Sequence, residues 1–369
     1  MHRLTALAVT AAIGVALLVL AAPATASGGR GAVYTLTNSA SGNAVAVFDR
    51  AADGSLTPDG TVATGGLGTG AGLGSQGAIV LDHGRLFAVN AGDDTISMLR
   101  VGHRGKVRLT DVAPSGGAAP ISLTVHGRLV YVVNAGDAST PANISGFLAR
   151  RGHLVPLLGS SRPLSSARPD PAQVEFSPNG RQLVVTEKAT NLIVTYAVGK
   201  HGYASGPNAQ PSAGETPFGF AFDKRSRLIV SEAFGGAPEA SALSSYSLAR
   251  NGTITPITPH VATTETAACW VVVTKNGRYA YTTNTGSNSI SGYRIGGAGG
   301  LTLLDADGVT AATGATPIDL ALSRGSRFVY SLNSGAREVE GFAVNADGSL
   351  NVLGAVGGLP TGAVGLAAR

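Results

Sequence analysis

The chain has 369 residues, a formal net charge of +5 and only 13% charged side chains. Its basic residues form no run interleaved with aromatics, which argues against nucleic-acid binding, because that footprint needs clustered charge. The single cysteine, Cys269, excludes an internal disulfide, so packing must stabilise the fold.

At the N-terminus, Arg3 precedes an apolar run over residues 4–22, then Pro23 and the small-x-small triplet Ala24, Thr25, Ala26. This pattern predicts a secretory signal peptide over 1–26 and an extracytoplasmic, secreted mature chain. No cysteine directly follows the run, so a lipid anchor is not expected. The run is long enough for an uncleaved membrane anchor as the alternative, and no membrane association is expected after cleavage.

From residue 31 the chain alternates short apolar runs with polar turns. The first unit opens on GAVYTLTN and turns at DGSL around Gly54. A glycine-rich stretch, GGLGTGAGLG over 65–74, follows. It lacks the strand–GxxxxGK–helix context of a phosphate loop and reads as a flexible blade connection. Equivalent turn glycines recur at Gly105, Gly152, Gly202, Gly252, Gly299 and Gly348, 47 to 51 residues apart. Each sits between strand-type runs, which predicts a hairpin needing positive φ. A second marker ends a β-branched or aromatic run at Asn38, Asn90, Asn134, Glu187, Glu232, Asn284 and Asn333. Polar turns such as DHGR, SPNGR and TKNGR precede most of these runs, and a further apolar strand such as ISLTV, AQVEF or IDLAL precedes each turn.

Four antiparallel strands per unit, seven times over, predict an all-β, seven-bladed β-propeller as a single domain over 27–369. The first unit lacks the inner strand of the others, while residues 361–367, TGAVGLA, resemble such a strand with nothing after it. The C-terminal strand is therefore expected to close the ring, removing an exposed edge.

The units VYVVNAGD, SPNGRQLVV and AYTTNTGSNSISGYRI resemble the seven-bladed lactonase-type propeller family with its YVTN-like repeat. That family includes 6-phosphogluconolactonase-like proteins and carboxymuconate-cyclising enzymes. The resemblance spans nearly the whole mature chain and implies the propeller fold. It also implies a catalytic histidine following a proline ahead of the fourth unit's turn. In this sequence Ala172 stands there, after Pro171.

Position in the repeat sorts the remaining candidates. In a propeller, ligands are expected near the axis on the face carrying the loops into each inner strand. His83 and His126 occupy turn slots on the opposite face, and His103, His153 and His201 lie in or beside glycine hairpins. His260 falls near the end of an outer strand. No histidine is left for the inner rim, so neither acid–base work by histidine nor a zinc site is expected. NAGDD and NAGDA match no calcium loop; no metal or cofactor is expected. Cys269, without a base, reads as a buried inert thiol.

Gln173, Trp270 and Asp319 share one column at the mouths of inner strands, and with Lys188 they form the expected ligand-binding set. Trp270 is either a stacking wall or core. The paired acids Glu187 and Glu232 interrupt a column of asparagines whose side chains shape turns through local backbone bonds. They border one pocket as acid–base groups, or else Glu187 pairs with Lys188 or a neighbouring arginine and Glu232 is solvated. Three functions stay open. One is a monomeric protein that binds a small polar or carbohydrate ligand without turnover. Another is a lactone hydrolase or cyclase using Glu187 and Glu232. The third is a scaffold for a surface protein.

Overall fold

A computed structural model describes residues 31–102 and 105–369. The expected signal peptide and His103 lie outside them. The described chain forms seven antiparallel sheets of four strands, two of them with one short extra strand. In chain order the inner strands of blades 2 to 7 are Ile79–Asp82, Pro120–His126, Pro171–Phe176, Pro217–Phe222, Ala268–Val273 and Pro317–Leu322. Blade 1 takes its inner strand from the other end of the chain. Val364–Ala368 pairs antiparallel with Gly31–Leu36, as the sequence pattern predicts.

The turn glycines behave as expected, with φ between 78° and 98° at Gly54, Gly105, Gly152, Gly202, Gly252, Gly299 and Gly348. Their carbonyls also tie blades together. The motif tyrosines Tyr131, Tyr281 and Tyr330 donate to the carbonyls of Gly202, Gly348 and Gly54 at 2.9, 2.7 and 2.8 Å. The last of these joins blade 7 to blade 1. Where the tyrosine is absent, Thr195 and Ser245 on third strands reach Gly252 and Gly299, each at 2.8 Å. A buried tyrosine hydroxyl needs such a partner, so the repeat's aromatic serves both packing and blade register.

The apolar core lies between blades. Tyr281 and Ile290 of blade 6 pack with Leu320, Val329 and Phe342 of blade 7, all fully or nearly fully buried. The strands that build it are rich in Val, Ile, Tyr and Phe, which suit a pleated, packed surface. Among the described residues no helix is long and apolar enough to cross a membrane.

Candidate functional site

The seven inner strands surround an axial cavity of about 330 Å³ lined by blades 1, 2, 3, 4 and 7, Gln173, Glu175 and Asp319 among its walls. Side chains alternate along a strand, so Glu175 shares the face of Gln173 two residues earlier. The walls are laced by side chains acting as backbone. Gln173 donates to the Phe220 carbonyl at 2.9 Å and accepts from the Phe220 amide at 2.7 Å, joining blades 4 and 5. Ser122 and Thr124 of blade 3 accept from the Val174 and Phe176 amides, both at 3.1 Å.

The glycine-rich connection between blades 1 and 2 is tied down rather than flexible. It crosses the mouth of the cavity on the loop face. Its Gln76 amide side chain donates to the Val271 carbonyl at 2.8 Å and accepts from the Val271 amide at 3.0 Å. The Gln76 backbone amide donates to the Ala172 carbonyl at 3.0 Å. Ser75 donates to the Ile121 carbonyl at 2.8 Å. Blades 3, 4 and 6 thus hold one strap. Gly219 admits it, because a Cβ there would lie 2.2 Å from Gln76 Oε1.

Two of the four expected ligand-binding residues, Trp270 and Lys188, grip this strap. Trp270 Nε1 donates to the Ser75 carbonyl at 3.0 Å and its ring packs 4.9 Å from that of Phe218. It is therefore core rather than an open stacking wall. Lys188 donates to the Gly74 carbonyl at 2.8 Å, sits over the Phe218 ring and pairs with Asp170 at 3.2 Å. Cys269 is buried beside them, and burial pushes its thiol up to about 12, an inert state.

On the other face the inner strands open. Their burial falls toward the C-terminal ends, where Leu81, Val125, Phe222, Val273 and Leu322 are only half-buried. Within the cavity stand two carboxyls. Asp319 is 2% exposed and its Oδ2 has no protein partner. Burial raises its pKa well above the usual range, against the opposing pull of the Leu320 and Leu366 amides. Glu175, bonded by Gln173 Nε2 at 3.0 Å, is pushed up to about 8 by burial. Desolvation disfavours the charged form of both, and Glu175 is mainly protonated at neutral pH, so that it can donate as well as accept.

Glu187 and Glu232 sit elsewhere, each clasping the loop that enters its own blade. Glu187 accepts from the Ser165 amide at 3.0 Å, the Ser165 hydroxyl, and Thr190 at 2.8 Å. Glu232 accepts from the Gly214 amide at 2.9 Å and Tyr246 at 3.2 Å. They share no hydrogen-bond partner among the described residues. Neither fits the milder expectation, since both are fully buried and Lys188 pairs with Asp170 instead. The asparagines of this column are also buried. Asn90 bonds Asn43 and Thr64 of the preceding blade as well as Thr95 and Ser97 of its own. The slot is an inter-blade staple more than a turn former. Glu232 keeps one distinction. Its Oε2 has no hydrogen bond and lies 3.9 Å from Nδ1 of His260, a residue held at φ 54°. Burial raises its pKa, offset by Ser244, Gly214, Tyr246 and the charge of His260.

The family model of the seven-bladed lactonase β-propeller matches residues 239–361. Over those residues the chain is similar to that family. Solved structures agree on the fold. This propeller superimposes on a Lactobacillus plantarum protein with a TM-score of 0.73 at 18% identity, covering 92% of this chain and 99% of that one. A proposed 6-phosphogluconolactonase of Bacteroides uniformis gives 0.72 at 16% identity, covering 91% and 98%. The periplasmic gluconolactonase of Pseudomonas aeruginosa gives 0.69 at 17%, covering 91% and 99%. No curated protein matches this chain by sequence.

Proposed function

We propose that this lactonase-type propeller is an exported protein that binds a small, hydroxyl-rich polar ligand in its axial cavity without turning it over. The observation that carries this reading is the buried Asp319 Oδ2, without a protein partner, in a cavity that also holds Glu175. Two carboxyls whose charged forms burial disfavours offer donors and acceptors, which suits sugar-like hydroxyls over an ionic ligand. With the strap across the loop face, the ligand enters from the turn face. Calorimetric titration of a panel of neutral sugars and sugar lactones tests it, with ring opening of the same lactones assayed in parallel. Saturable binding without turnover is expected, weakened about tenfold or more by Asp319→Ala or Glu175→Ala, since each leaves ligand hydroxyls unpaired. Binding that both variants retain would sink it.

A second reading, lactone opening, is favoured by the approach of His260 to Glu232 and by the gluconolactonase among its structural neighbours. There Glu232 would take the acid–base role, with His260 beside it. Lactone turnover abolished by Glu232→Gln but kept in Asp319→Ala is the outcome that selects it.

A further inference from the structure

Away from the axis, a groove of about 580 Å³ lies between blades 2 and 3 on the turn side, and its walls carry Arg85, Arg100, Arg108 and Arg151. Three of these form one row across blade 2. Arg100 stands directly opposite Arg85 on the second strand and directly opposite Arg108 on the fourth. Opposed residues on neighbouring strands have Cβ atoms about 5 Å apart, and like charges so placed repel. Arg151 enters from the blade 3 hairpin with φ 52°, a left-handed conformation that favours glycine or asparagine.

Carboxylates relieve this row only at its Arg85 end. Asp82 pairs with Arg85 and with His83. Asp111, on the same outer strand as Arg108, accepts from the Leu154 amide at 2.7 Å and lies 3.6 Å from His153. Among the described residues Arg100, Arg108 and Arg151 have no hydrogen-bond or ion-pair partner, although the chain carries 22 acidic residues.

We propose that this groove is an anion site for a soluble molecule carrying two or more phosphate groups. Guanidinium forks match phosphate oxygens in bidentate geometry. Three cations in a row, each about 5 Å from the next at Cβ, span roughly 10 Å, more than one phosphate reaches, and suit a diphosphate or a bis-phosphorylated compound. The bound anion would also cancel the repulsion that the bare row carries.

Inorganic pyrophosphate is the probe. Titrated calorimetrically into the full protein in low-salt buffer, it binds with unit stoichiometry and more weakly as salt screens the row. The double variant Arg100→Gln, Arg108→Gln weakens that binding by about tenfold or more. Arg324→Gln, in a blade 7 turn, changes it by less than about twofold. Without phosphate the double variant melts at or above the parental temperature, because a repulsion has gone. Phosphatidylglycerol vesicles are tested alongside. Absence of pyrophosphate binding, equal loss in the Arg324 variant, binding of vesicles alone, or a large fall in the double variant's melting temperature would each overturn the proposal.

Discussion

The two ends of the axial cavity are built from the same seven strands and yet differ in kind. At the loop face the Gly65–Gln76 strap bonds to blades 3, 4 and 6, and Trp270 and Lys188 hold it from above. At the turn face no segment crosses among the described residues, and strand ends from five blades are half-buried. The difference teaches that repeat symmetry does not decide access. A single connection, longer and richer in glycine than its counterparts, breaks the symmetry and determines which end a ligand can use.

The severest way to break that contrast is to remove a wall shared by both ends. Deleting residues 361–369 takes away the inner strand of blade 1 and bares two apolar edges. Aggregation, or a fall in Tm of about 10 °C or more, is expected. A truncated protein melting like the parent would contradict the closure described above.

A smaller change acts on the sealed end alone. Gln76→Ala leaves the Val271 amide and carbonyl without their partner in a buried position. Each unmet group costs about 1–3 kcal/mol, so a destabilisation of about 2–6 kcal/mol is expected in urea unfolding. The same variant should expose Cys269 to thiol reagents faster than the parent. If neither changes, the strap does not seal the mouth.

The gentlest probe works inside the cavity. Folding raises the Glu175 pKa from 4.5 to about 8. The folded state therefore holds its proton more tightly, and the associated stability is fully present below pH 4.5 and is lost as pH rises through about 8. Glu175→Gln is expected to flatten this part of the profile, raising stability at pH 9 relative to the parent and leaving it nearly level at pH 4. A parallel shift at both pH values would place Glu175 in contact with open solvent instead.

The sequence carried much of this architecture in local chemistry. Seven glycines forced to positive φ, and strand runs between them, specify the hairpins residue by residue. The orphan strand at residues 364–368 foretells closure, because blade 1 alone lacks a partner. Glu175 was also within reach. The two-residue period of a strand puts it on the face of Gln173, and its place as the strand's one charged residue is the signal. Other features could not be read this way. The asparagine and glutamate column looked like turn chemistry, since its partners Thr64, Ser165 and Gly214 come from the loop of the preceding blade.

Period, turn residues and strand pairing depend on neighbours within a few tens of residues, and the sequence by itself determined them. The strap depends on Gln76 meeting Val271, 195 residues away, and on Gly219 leaving room for it. The arginine row depends on two strand registers, and its groove on a turn from the next blade. Such contacts exist only once the ring has closed and brought distant blades together, so tertiary structure alone decided which mouth is sealed, which carboxyls are buried and where the cations face one another.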